Sequence, residues 1–143
     1  MSDLQIRRYL VGTACLIVLV LVYLFQREWF YSGFYDTGAS SDKVPDFDPL
    51  KFFISKYARF LINDTMALGI LWSLFYEKKY MNFAFAVFLV EAIVLMPFYI
   101  TGVIWFWDSL RWFLSHLHRL VVNPFFMMLL IPAFYYQKNS SAR

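Results

Sequence analysis

Four long apolar stretches dominate the chain, and they cover residues 9–25, 52–76, 83–107 and 111–136. A helix needs about 20 mainly apolar residues to cross the hydrocarbon core of a bilayer. No small-residue cleavage site ends the first stretch, so it is predicted to be a retained helix rather than a signal peptide. The pattern therefore predicts an all-α fold, an integral membrane four-helix bundle in which residues 26–51 form a Gly-, Ser-, Asp- and Pro-rich loop.

The composition strengthens this interpretation and excludes several classes of protein. Hydrophobic residues make up 61% of the 143 residues and charged residues 16%, against about 45–50% and about 25% in soluble domains. A soluble fold of this size cannot bury so much apolar surface. The sequence thus argues against a soluble enzyme, a disordered regulator and a nucleic-acid-binding module, and it predicts a single transmembrane domain over residues 1–143.

Charge in the short flanks of the helices predicts their orientation. On one side the flanks carry Arg7, Arg8, Lys78, Lys79, Lys138 and Arg143 against the acids Asp3 and Glu77. The loop 26–51 carries three basic and five acidic residues. Because basic residues are enriched on the cytoplasmic side, both termini are predicted to be cytoplasmic and the loop to face outward. We therefore expect a multi-pass protein of the bacterial inner membrane.

Several polar residues interrupt the apolar stretches, and such residues are costly inside a bilayer. These candidate residues for a polar or partner-binding site are Lys56, Arg59, Asn63, Asp64, Glu91, Arg119 and Asn123. The first three lie three and four positions apart, which places them on one helix face. Two interpretations remain open: the charged groups form structural pairs between helices, or they line a working polar site.

Catalytic and metal sites are not expected. The single cysteine excludes an internal disulfide framework, and one cysteine with two histidines makes a zinc site improbable. Cys15 lies towards the inner end of its helix and His116 and His118 towards the outer end of theirs, so a cysteine–histidine catalytic pair is not predicted. No cofactor is expected. Pro97 is predicted to free the Ile93 carbonyl, and no pair of small residues four apart stands out as a helix-packing motif.

The last third of the chain has a recognisable pattern. Residues 118–124 read HRLVVNP and residues 130–137 read LIPAFYYQ, while Phe30-Tyr31 with Phe34-Tyr35 and the segment 59–63 extend the pattern towards the N-terminus. Together these segments resemble the exosortase F system-associated membrane proteins, small multi-helix proteins of flavobacteria and related Bacteroidetes. The resemblance implies an accessory factor for protein sorting, with an exosortase or its cargo as partner. It implies no catalytic residues.

The predicted function is therefore a non-enzymatic accessory or assembly subunit of an inner-membrane protein-sorting complex of the exosortase type. Its expected partners are other integral membrane proteins and the lipid bilayer. Two alternatives remain: a structural subunit of another large membrane complex, such as a secretion or respiratory assembly, and a small transporter or proton-conducting protein that uses Glu91 and Asp64 with Arg59.

Overall fold

The computed structural model describes residues 3–31 and 48–141, and every element within those ranges is a helix. The helices are α1 (Asp3–Leu24), α2 (Gln26–Trp29), α3 (Pro49–Phe75), α4 (Lys78–Val90), a π-helical turn (Glu91–Leu95), α5 (Met96–Trp105), α6 (Trp107–Val122) and α7 (Phe125–Ser141). Most of the predicted loop, including Phe34-Tyr35, lies outside the described residues. The all-helical prediction is confirmed.

Two runs of the described chain are long and apolar enough to cross a membrane, namely α1 and the continuous run Lys78–Trp105. α6 and α7 meet at a short break with a bend of 60°. If this bent pair is one broken span, it makes a third. The single helix predicted over 111–136 is therefore two helices. α3 is 27 residues long but is not one of these runs, and it carries the charged residues Lys56, Arg59 and Asp64.

α3 is the central helix, since α1, α4, α5, α6 and α7 all contact it. Its start is fixed by Asp48, whose side chain accepts hydrogen bonds from the backbone N–H groups of Leu50 and Lys51, with Pro49 at the first helical position. Such a cap satisfies donors that have no partner within the helix. The cap fixes the residue at which α3 begins, and from there α3 contacts every other long helix.

Two apolar clusters pack against α3, one on each half. The first surrounds Phe60, which is fully buried and stacks on Phe88 with ring centroids 5.8 Å apart. The second lies towards the C-terminal end of α3, where Phe75 meets Phe134 of α7 edge to face at 5.5 Å. The polar residues of α3 lie between and beside these clusters.

α1 packs on α3 through small residues. A Cβ atom added to Gly12 would lie 2.4 Å from Ser73 Oγ and 2.7 Å from Ser73 Cβ, and one added to Gly69 would lie 2.5 Å from Cys15 Sγ. Gly69 and Ser73 are four residues apart, so the prediction that no small-residue packing motif stands out is wrong. Arg8 Nη2 donates to the Ser73 carbonyl and Ser73 Oγ donates to the Arg8 carbonyl, both at 2.8 Å.

Replacing Gly12 with leucine is expected to separate α1 from α3, because Ser73 Cβ belongs to a short side chain that has no room to withdraw. Overpacking of this kind costs about 1–3 kcal/mol. The variant should lose that much unfolding free energy in mixed micelles, and Cys15 should react faster with a maleimide. Ala14→Leu, at an exposed position of α1, is the control and should change neither value. Unaltered Cys15 reactivity in Gly12→Leu would contradict the packing described above.

Candidate functional site

Five of the seven candidate polar residues are buried between the helices. They are Lys56 (3% exposed), Arg59 (8%), Asn63 (4%), Asp64 (1%) and Glu91 (4%). Four of them come from α3, and Glu91 opens the π-helical turn that follows α4. Burial is consistent with both structural pairs and a working polar site. The hydrogen-bond partners of each side chain distinguish these two interpretations.

The break between α6 and α7 is closed by side-chain hydrogen bonds. Asn63 Nδ2 donates to the Val122 carbonyl at 2.9 Å, and Asn123 Nδ2 donates to the Arg119 carbonyl at 3.2 Å. Arg59 Nη2 in turn donates to Asn123 Oδ1 at 2.9 Å. The last carbonyls of a helix have no intrahelical donors. Asn63 and Asn123 therefore cap the C-terminal end of α6, and Arg59 holds the Asn123 side chain in place, which is the structural interpretation for these three residues.

The two buried carboxyl groups meet between α3 and the π-helical turn. A side-chain hydrogen bond joins Asp64 and Glu91. The remaining oxygens, Asp64 Oδ2 and Glu91 Oε2, are buried and have no hydrogen-bond partner among the described residues. Buried polar groups are usually satisfied, and exceptions occur at functional sites. Arg59 Nε is a third buried polar atom of this cluster without a hydrogen-bond partner among the described residues, so structural pairing explains the cluster only in part.

The π-helical turn owes its shape to Pro97. Met96 N–H donates to the Glu91 carbonyl, five residues back. By the same spacing the donor for the Ala92 carbonyl would be residue 97, which is proline and has no N–H. Tyr57 Oη of α3 donates to that carbonyl instead. The prediction that Pro97 frees the Ile93 carbonyl stays a prediction, and the wider turn adds the Ala92 carbonyl as a second group that Pro97 leaves without a backbone donor. Such turns are frequent at functional sites.

Sequence reasoning missed three members of this region, namely Tyr57, Tyr99 and His118. Tyr99 Oη and His118 Nδ1 lie 2.8 Å apart, and Tyr99 is fully buried. His118 lies close enough to Lys56, Arg59 and Arg119 to experience their positive charges. A signal for His118 was present, since it follows the buried Leu114 by four residues and precedes the buried Val121 by three, and so shares their face of α6.

Arg119 and Asn123, the other two candidate residues, are not buried with these five. Asn123 is half-buried and bonds Arg59, whereas the Arg119 side chain is exposed. The two residues line an open groove of about 480 Å³ at the bend, together with Pro124, Phe125 and Met128. Over residues 3–31 and 48–140, no acidic side chain forms an ion pair with Arg119. We call this feature the bend groove.

The described residues contain no group of three or more His, Cys, Asp or Glu side chains arranged to hold a metal ion. The Cys15 side chain packs on Gly69. The His118 ring instead lies beside Tyr99, so Cys15 and His118 have different neighbours. No protein-family model, curated protein or solved structure matches this chain.

Proposed function

We propose that this protein is a non-enzymatic accessory or assembly subunit that binds another integral membrane protein at the bend groove. The observation that carries the proposal is the exposed Arg119 guanidinium, which has no acidic partner among the described residues. Apolar side chains, Phe125 and Met128, lie beside it. A partner helix that brings a carboxylate to Arg119 and apolar side chains to these two residues would complement both features.

The proposed setting is a bacterial inner membrane crossed four times, by α1, α3, α4–α5 and α6–α7, with both termini in the cytoplasm. The distribution of basic residues in the flanks supports this orientation. In this topology the break beside Asn63 lies about halfway across the bilayer, because Asn63 is near the middle of α3. A guanidinium that faces hydrocarbon at that depth costs about 2.5 kcal/mol or more. A carboxylate on a partner offsets that cost.

The partner to test first is an exosortase or its cargo. This choice rests on the resemblance of residues 118–124 and 130–137 to the exosortase F system-associated proteins. Residues 118–124 include Arg119, Asn123 and Pro124, so the segment that carries the resemblance contains three of the five residues that line the bend groove. Any other large membrane complex with an acidic residue in a transmembrane helix fits the groove by the same chemistry.

A mild-detergent pull-down of tagged protein, read by mass spectrometry, tests the proposal. Arg119→Leu should lower recovery of the partner about tenfold, equivalent to about 1.4 kcal/mol of binding free energy. Arg119→Lys should retain part of the recovery, since it keeps the charge but loses the planar fork. Arg27→Leu removes an exposed cation from α2 and should leave recovery unchanged. Equal recovery from all four proteins, or phospholipid without any polypeptide, would refute the proposal.

A further inference from the structure

A second groove lies between the start of α4 and the later part of α7. It encloses about 380 Å³, and its lining residues include Lys79 and Tyr80 on α4 and Ala133, Phe134 and Gln137 on α7. The rings of Tyr80 and Phe134 join the two helices here, with centroids 4.9 Å apart. We call this feature the lysine groove. It shares no lining residue with the bend groove.

The lysine groove is polar at one end and apolar at the other. Lys79 is in the first turn of α4 and Gln137 is near the end of α7, and polar atoms form part of the inner surface of the groove. Phe83 lies four residues beyond Lys79, and Leu130 lies seven residues before Gln137. At about 1.5 Å of rise per residue, these apolar residues are about 6 Å and about 10 Å further along the groove. A complementary occupant has a polar group at one end and an apolar chain behind it.

The polar end carries positive charge that the described part of the chain does not neutralise. Lys79 lines the groove, and Lys78 and Lys138 are the sequence neighbours of its lining residues Lys79 and Gln137. All three lysines are exposed. Over residues 3–31 and 48–141, no acidic side chain forms an ion pair with any of them, although Glu77 precedes Lys78 directly. The polar group that complements this end is therefore an anion.

Exposed aromatic residues place the polar end at the surface of a bilayer. Tyr76, at the end of α3, and Tyr135 and Tyr136, near the end of α7, are 48%, 64% and 78% exposed. Tyrosine is enriched where hydrocarbon meets the headgroups, and lysine keeps its ammonium group at the same level. Phe83 and Ala133 are exposed lining residues. The groove is thus open along its side, where an acyl chain can enter from the bilayer.

We propose that the lysine groove binds one anionic phospholipid, whose phosphate accepts hydrogen bonds from the Lys79 ammonium and whose acyl chain lies along Phe83 and Leu130. Basic pockets between transmembrane helices bind acidic headgroups, and the volume lies within the range of about 300–1,000 Å³ of ligand pockets. A zwitterionic phospholipid has the same phosphate, but its own ammonium group is repelled by the lysines. The inference requires that the chain lies in a bilayer, and it does not depend on partner binding at the bend groove.

Native mass spectrometry of the full chain, released from maltoside micelles, tests the proposal. Phosphatidylglycerol and phosphatidylcholine with identical acyl chains are added together at equal concentration. We expect one phosphatidylglycerol per chain, bound about fivefold more often than phosphatidylcholine, which is the effect of one lysine charge on an acidic lipid. Inorganic phosphate in tenfold excess should not displace the lipid, because phosphate lacks the acyl chain.

Two substitutions with matched controls locate the lipid. Lys79→Gln should lower phosphatidylglycerol binding about fivefold. Lys78→Gln makes the same change at an exposed neighbour that does not line the groove, and it should lower binding at most twofold. Ala133→Trp fills the groove from an exposed position and keeps Lys79, so it should also lower binding at least fivefold. Ala14→Trp, at an exposed position of α1, should leave binding unchanged.

Four results would overturn the proposal. They are equal binding of the two phospholipids to the wild-type protein, equal losses in Lys79→Gln and Lys78→Gln, unchanged binding to Ala133→Trp, and displacement of the lipid by inorganic phosphate. Arg119→Leu should leave phosphatidylglycerol binding unchanged, and Lys79→Gln should leave partner recovery unchanged. The two proposals therefore fail independently.

Discussion

Replacing Phe60 with alanine is expected to lower the free energy of unfolding by about 3–5 kcal/mol. Phe60 is fully buried, stacks on Phe88 and meets Tyr57 edge to face at 6.2 Å. Alanine leaves a cavity bordered by both rings, and the lost packing is not recovered because the helices around α3 are held by other contacts. Packing of this kind is the main source of helix association inside a bilayer.

Titration of mixed micelles with a denaturing detergent measures this loss. Phe98→Ala is the matched control, because Phe98 is 54% exposed and removal of its ring should change the unfolding free energy by less than about 0.5 kcal/mol. Equal destabilisation by the two substitutions would mean that Phe60 is not in the core of the first cluster, and the assignment of α3 as the central helix would fail with it.

The double replacement of Asn63 and Asn123 by leucine should open the break between α6 and α7. It removes the donors to the Val122 and Arg119 carbonyls and the acceptor of Arg59 Nη2. Each buried group left without a partner costs about 1–3 kcal/mol. The combined loss should therefore exceed that of either single variant.

Two measurements check this expectation. Mixed-micelle unfolding gives the free-energy loss, and the distance between spin labels on Phe113 of α6 and Leu129 of α7, both exposed, reports the bend. Asn82→Leu makes the same chemical change at an exposed position of α4 and should alter neither. If the double variant keeps both the wild-type stability and the wild-type distance, the polar closure of the break has no structural role.

The helical periodicity of α3 was enough to place Lys56, Arg59 and Asn63 on one face, and the structure buries all three. It could not show what Arg59 and Asn63 contact, because their partners come from α6 and from the break that follows it. Sequence reasoning treated residues 111–136 as one helix, since proline is tolerated in transmembrane helices. The break forms at Pro124 and not at Pro132 because Asn63 and Asn123 supply donors only at the first of these positions.

The contact between the two buried carboxyl groups likewise could not be predicted from helical periodicity. The sequence left open that Asp64 and Glu91 act together, but helical periodicity alone could not show that the two carboxyl groups bond each other. Their hydrogen bond depends on how α4 packs against α3 and on the wide turn that Pro97 imposes. Arg119 and Asn123 are four residues apart and would share one face of a continuous helix, but α6 ends at Val122 and only Asn123 bonds Arg59.

Photo-crosslinking in living cells tests the proposed partner contact most directly. A benzophenone amino acid is placed at Met128 in the bend groove, and in a separate protein at Leu16, an exposed position of α1. We expect Met128 to crosslink to one integral membrane polypeptide, with the product lost when Arg119→Leu is added, while Leu16 reacts with lipid. Reaction of Met128 with lipid alone, or a polypeptide crosslink that persists without the Arg119 guanidinium, would contradict the assignment of the bend groove as the partner-binding surface.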